Sequence, residues 1–201
     1  MSGATPKEKL LAAVVDAALA GGISDKSLRA IAAAAGTSHR MLIHHFGSRE
    51  GLLVEVIRAV EARQRATLSE LEAASTEEPA ELGLRFWEHL RSPELAPQER
   101  LFFEVYGQAL QGRQWAKPLL DGIVEDWVGP VAAMLEAAGI SPDTARTVAR
   151  LYLAVGRGLL LDVLATGDDR EVDAAMRYFS EMLIAHLTGS LDAGRASDEQ
   201  R

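Results

Sequence analysis

The stretch SLRAIAAAAGTSHRMLIHHFGSREGLL, residues 27–53, decides the fold. Ser27 is placed to cap a helix in which Leu28, Ile31, Ala32 and Ala35 form one apolar stripe at spacings of three and four. Gly36 ends that helix, because glycine enters the left-handed conformation without strain. Thr37 or Ser38 caps a second, short helix that runs to about His45, where Phe46-Gly47 breaks it. Ser48 then caps a long helix with Glu50 in its first turn, where the helix dipole favours a carboxylate. Two short helices joined by the tight Ala35-Gly36-Thr37 turn make a helix-turn-helix, whose second member lies in the major groove of duplex DNA.

The side chains agree with that reading. Leu42 and Phe46, four residues apart, are expected to pin the second helix to Leu28, Ile31 and Leu11. That leaves Ser38, His39, Arg40, Ile43 and His44 facing outward. Imidazole, guanidinium and small polar groups reach base edges and phosphates, and arginine on guanine is the commonest base contact. Arg49, with the free N–H groups at the start of the next helix, suits a phosphate.

Three of the chain's five histidines lie here, so metal binding and catalysis need weighing. His44 and His45 are adjacent and point about 100° apart on a helix, and His39 and His44 are five apart. A helical metal pair needs spacing of three or four and a third ligand nearby, which this run lacks. Ser38 beside His39 has no strained turn or oxyanion donor to make it a nucleophile, and it is a natural helix cap. No catalytic residue, metal ligand or cofactor is expected.

Composition sets the wider frame. Alanine and leucine abound, and the β-branched and aromatic runs of strands are missing. There is no cysteine, which excludes disulfides and thiol chemistry and suits a reducing cytoplasm. The opening MSGATPKEKLLAAVV reads as neither a secretion signal nor an anchor, and no apolar run approaches the roughly 18 residues that would span a bilayer. The net charge is −8, unevenly spread: residues 1–50 hold six Lys/Arg and four acids (+2), and the remainder holds 15 and 25 (−10). A small polyanion-facing head on an acidic body fits that asymmetry.

Helical periodicity continues on both sides. Leu10, Leu11, Val14, Val15, Ala18 and Leu19 share one face of a first helix over 6–20. Beyond the long fourth helix, proline and glycine boundaries predict helices near 79–91, 97–111, 115–138, 142–166 and 170–191, with Pro118 and Pro130 kinking or splitting the third of these. The C-terminal AGRASDEQR reads as frayed and solvated. The fold class is all-α: a three-helix DNA-binding head at residues 1–50 and a helical bundle at 51–201 for ligand binding and dimerisation.

The segment LRAIAAAAGTSHRMLIHHFGSREGLLVEVI, residues 28–57, resembles the DNA-binding segment of the TetR family of bacterial transcriptional repressors. The Ile31-Ala32 pair, then Ala35-Gly36-Thr37-Ser38, Leu42-Ile43-His44-His45-Phe46 and Ser48-Arg49-Glu50-Gly51-Leu52 carry the resemblance. Thr37 stands for a usual Val and Arg49 for a usual Lys. Ile43 stands where the family has a Tyr that holds a phosphate, which implies that this contact is weakened or passes to His44 or His45. The resemblance implies a homodimer that binds a palindromic double-stranded operator and releases it when a small molecule enters the body. The DNA-facing set expected is Ser27, Thr37, Ser38, His39, Arg40, Ile43, His44, His45 and Arg49.

By analogy with the family's internal pocket, Trp87, Leu90, Phe103, Tyr106, Trp115, Trp127 and Tyr152 are expected to line an effector site, with His89 or Arg157 as a polar handle. The effector would be apolar or amphipathic, and the same aromatics fit ordinary core. The helices over 142–191 are expected to pair two copies. Leu153, Leu160, Leu164, Met176, Phe179, Leu183 and Leu187 make an apolar stripe that fits either a dimer surface or bundle core. Two other classes remain open at this stage: a helical small-molecule or lipid carrier without regulatory DNA binding, and an all-α enzyme. The Glu-x-x-His pairs of a di-metal helical enzyme are absent, since Phe86 and Leu183 stand three residues before His89 and His186.

Overall fold

A computed structural model describes residues 4–23, 25–75 and 78–198. Among the described residues the regular structure is helical: α1 (Pro6–Gly21), α2 (Leu28–Ala34), α3 (His39–Phe46), α4 (Arg49–Ala74), α5 (Pro79–Leu90), α6 (Ala96–Leu110), a 3-10 turn (Lys117–Leu120), α7 (Glu125–Ala137), α8 (Pro142–Thr166) and α9 (Asp169–Asp198). The chain divides into two compact units: Met1–Ser69 with Ser92–Ile123, and Glu70–Arg91 with Val124–Arg201. Chain order alone would not show this, because α6 joins the N-terminal helices while α5 does not.

The first unit starts with a capping box. Thr5 Oγ1 accepts from the Glu8 N–H at 3.3 Å, and Glu8 Oε2 accepts from the Thr5 N–H at 2.7 Å. The Thr5 N–H on the carboxylate, with the nearby Thr5 hydroxyl, favours the ionised form, so Glu8 titrates below the usual range. α1 packs against α2 and α6, and α2 against α3. The core contains Val14, Ile23, Ile31, Leu42, Leu52, Val56, Ile57, Val105 and Leu119, all at most 2% exposed. Leu10, Leu11 and Leu19 are half-buried at its edge.

In the second unit α7 lies against α8, α8 against α9 and α5 against α9. Val128, Ala132, Leu135, Ile140, Ala145, Val148, Ala149 and Leu183 form its core. Burial pushes the Asp173 carboxyl up, but the hydrogen bond and charge of Arg177, the charge of Arg91 and the Trp87 indole outweigh that and hold it below its usual range. Arg91 lies 3.5 Å from Asp173, and Arg177 also reaches Glu88 at 3.0 Å, so charge ties α5 to α9.

Two expectations need correction. The 115–138 segment is split near Pro118, as its prolines suggest, but its first part is not α-helix: Pro118 sits in the 3-10 turn, Gly122 turns the chain at φ 78°, and α7 begins at Glu125. Pro130 lies inside α7, where it removes one backbone donor without ending the helix. α9 continues past 191 to Asp198, because Ala193, Arg195 and Ala196 favour helix despite Gly194; residues 199–201 lie outside the described set. Of the two readings open for the apolar stripe on α8 and α9, bundle core fits most of it. Leu160, Met176 and Leu183 are buried, and Leu153, Phe179 and Leu187 pack half-buried against the core. Leu164 is half-buried as well.

Candidate nucleic-acid interface

The turn between α2 and α3 is built by local chemistry. Ser27 Oγ accepts from the Ala30 N–H at 3.3 Å and starts α2. At the other end the Gly36 N–H donates to Ala33 O at 3.2 Å and the Thr37 N–H to Ala32 O at 2.9 Å. That pair is a Schellman motif, and it requires the left-handed residue that Gly36 supplies at φ 64°. Ser38 Oγ then accepts from the Met41 N–H at 3.2 Å and starts α3. One glycine and two serines therefore fix where the second short helix begins and how it leaves the first.

Burial orients α3. Leu42 is fully buried and Phe46 nearly so, beside the buried Leu28 and Ile31. His39, Arg40, Met41, Ile43 and His44 are exposed. With about 100° per residue, Arg40 and His44 lie opposite the Leu42–Phe46 seam. They form the crest of the outward face, with Met41 on one flank and Ile43 on the other. His45 is half-buried, its ring edge-on to His44 at 4.9 Å and tilted against Phe46 at 6.3 Å. His45 thus braces His44 against the anchored end of the helix.

The start of α4 closes the site. Ser48 Oγ accepts from the Gly51 N–H at 3.0 Å, and the Ser48 N–H donates to Phe46 O at 2.9 Å. Lys7 lies over the Phe46 ring at 5.6 Å and pairs with Glu55 at 3.1 Å, joining α1 to α4 behind α3. Arg49 is half-buried, and its Nε donates to the Lys26 carbonyl at 3.0 Å, holding the α1–α2 loop. Sequence reasoning did not show that second task.

The residues expected at the interface therefore fall into three groups. His39, Arg40, Ile43 and His44 are all exposed on α3. Ser27 and Ser38 are exposed caps, while Thr37, His45 and Arg49 are half-buried around the same element. Met41, which sequence reasoning left out, is 41% exposed on the same helix. Its signal was its angle on the helix, about 120° from Leu42 and Phe46 on average.

The residues expected to line an effector site divide between the units. Phe103, Tyr106 and Trp115 belong to the first, where Tyr106 stacks on Phe102 at 5.3 Å. Trp87, Leu90, Trp127 and Tyr152 belong to the second. There Trp127 lies 5.6 Å from Phe86, and Phe86 lies 6.1 Å from His89. Tyr152 shares a hydrogen bond with the buried Ser180 at 2.7 Å, and its ring meets Phe179 at 5.4 Å. Burial pushes the Tyr152 hydroxyl up and holds His89 below its usual range, so His89 favours the neutral imidazole. Arg157 is half-buried on α8. A small cleft in the first unit is lined by Gly22, Glu61, Gln98 and Glu99 among others, and by none of the seven residues named for an effector.

Among the described residues no group of three or more His, Cys, Asp or Glu could hold a metal ion, and no helix is long and apolar enough to cross a membrane. Residues 10–56 match the family described as "Bacterial regulatory proteins, tetR family". No curated protein matches the chain in sequence. Solved structures share its fold. A transcriptional regulator from Rhodococcus sp. Rha1 is 24% identical with a TM-score of 0.71, covering 90% of this chain and 97% of that one. A TetR transcriptional regulator from Legionella pneumophila is 22% identical with a TM-score of 0.64, covering 91% and 99%. The multidrug binding protein EbrR, complexed with imidazole, is 24% identical with a TM-score of 0.59, covering 90% and 96%.

Proposed function

We propose that this chain, whose residues 10–56 match the tetR family and whose fold is shared with TetR-type regulators, is a ligand-responsive DNA-binding repressor acting in the cytoplasm. The observation that carries the reading is the outward face of α3. A helix pinned by Leu42 and Phe46 and started by Ser38 turns Arg40 and His44 away from its own core. Arg40 reads guanine by a two-pronged hydrogen bond, and His44, braced by His45, reaches a neighbouring base or phosphate. Ser27, Thr37, Ser38, His39 and Arg49 surround that crest and hold the backbone of the duplex, and Ile43 lies beside it. Arg49 has one of its five donors on the Lys26 carbonyl, and the guanidinium charge serves a phosphate from the same anchored position.

Two copies act together. A homodimer through residues 142–191 presents two α3 helices to a palindromic operator and doubles the contacts. Support comes from where the second unit leaves large apolar side chains uncovered: Leu151, Leu161, Tyr178, Met182 and Ile184, all on α8 and α9. A net charge of −8 does not oppose this, because the field near the phosphates comes from the head.

An apolar or amphipathic small molecule releases the operator by binding the DNA-incompetent arrangement more tightly than the competent one. We assign its site to Trp87, Leu90, Trp127 and Tyr152 in the second unit, with Phe103, Tyr106 and Trp115 of the first as further candidates. His89, held neutral by burial, or Arg157 supplies the polar handle. EbrR is a multidrug binding protein of the same fold, which supports a ligand-taking body. α4 carries the chain from one unit into the other, so a pivot along it would reset the spacing of the two heads.

Binding of a random duplex, followed by fluorescence anisotropy across a salt series, tests the reading. Affinity should fall steeply as salt rises, and a screen of apolar and amphipathic compounds should find some that weaken binding to the selected operator. A chain that ignores duplex DNA at low salt and co-purifies with a lipid would overturn it.

A further inference from the structure

Large apolar side chains that remain exposed are few in the first unit and are not scattered. Among the described residues they are Met41 at 41%, Ile43 at 40% and Leu110 at 65%. Two of those three sit on one eight-residue helix, α3. Single exposed apolar groups need no explanation, but two on the shortest path to a proposed ligand do. Their positions are also particular. Met41 and Ile43 flank the Arg40–His44 crest on opposite sides, each about 60–100° from it around the helix. A duplex laid along the crest would therefore cover both.

The chemistry of the groove says what they would meet. The major groove offers one apolar group, the thymine 5-methyl, and apolar side chains are its partners. Methionine is flexible and polarizable and follows such a group as it moves. Isoleucine is stiff at its first torsion and makes a fixed wall. We propose that Met41 and Ile43 read thymine methyl groups on either side of the guanine that Arg40 takes, so that each half-site contains thymine at those flanks. This rests on the DNA-binding reading above. It changes the role of Ile43: in place of a lost phosphate contact, that position gains a base-specific one.

The test uses the full chain and its own selected duplex. Each thymine of the site is replaced singly by deoxyuridine, which pairs identically and lacks only the methyl. Affinities are measured at one fixed salt concentration for the wild type, Met41→Ala and Ile43→Ala. Both residues are exposed, so neither truncation removes core. The expected result is a loss of about fourfold per half-site at particular thymines for the wild type, the worth of one covered methyl. Each variant should lose the penalty at its own thymine and keep it at the other. A selected site in which no deoxyuridine substitution changes affinity, or penalties that persist in both variants, would overturn the proposal and leave the repressor reading standing. Failure to select any duplex would overturn both.

Discussion

A Cβ on Gly51 would lie 2.5 Å from the carbonyl oxygen of Phe46. That carbonyl ends α3 and also accepts the Ser48 N–H, so the end of the reading helix and the start of α4 touch backbone to backbone. Only a residue without a side chain fits there. The orientation of α3 is thus set at both ends, by the Gly36 turn before it and the Gly51 contact after it.

Gly51→Ala should therefore destabilise the protein by about 1–3 kcal/mol, the usual cost of forcing atoms into a filled space. Thermal unfolding checks this. An unchanged melting temperature would mean that the junction yields cheaply and does not fix α3.

Arg40 and Arg49 should separate in their effects. Arg40→Ala should relax base preference at one position, costing about 1–3 kcal/mol against the preferred base. Arg49→Ala should weaken binding to all sequences alike and lower the salt slope by about one. It should also loosen the α1–α2 loop, because the bond to the Lys26 carbonyl is lost. Selection repeated with each variant distinguishes them, and an unchanged consensus for Arg40→Ala would remove it from the base-reading set.

Asp173 gives a pH dependence. Its carboxyl is depressed in the folded chain, so the stability it contributes is present above the unfolded carboxylate range near pH 4 and is lost as pH falls through the folded value. Wild type and Asp173→Asn should differ in urea midpoint at neutral pH and converge in acid. A difference that stays constant from neutral pH to below pH 3 would show that the ion pairs with Arg91 and Arg177 do not act through this charge.

Met182→Glu on α9 or Leu161→Glu on α8 should shift the chain from dimer to monomer. Both side chains are more than half exposed, so the monomer fold should survive. Sedimentation equilibrium reads the outcome. Variants that remain dimeric would move the interface off these helices.

The head was legible because its signals are local. Ser27, Gly36, Ser38 and Ser48 act within a few residues of their own position, and Leu42 with Phe46 names the buried side of a helix eight residues long. The body was less so. On α8 and α9 apolar residues occupy more than one face, so periodicity picked the side that carries Leu160, Met176 and Leu183, while the exposed side carries Leu161, Tyr178 and Met182. The grouping of α6 with the head rests on packing between distant segments, which no local pattern encodes. Met41 was passed over for a related reason: as an apolar residue beside Leu42 it reads as core until its angle on the helix is drawn. The effector site is the least legible part, because Trp127 beside Phe86 looks the same in sequence whether it packs a core or walls a pocket.

The most direct measurement is selection of duplexes from a random pool by the full chain at low salt. The account predicts an enriched palindrome whose half-sites lie about one helical turn or slightly more apart, each centred on a guanine that Arg40→Ala no longer requires. Recovery of no enriched sequence, or of one whose preferences are identical with and without the Arg40 side chain, would contradict it.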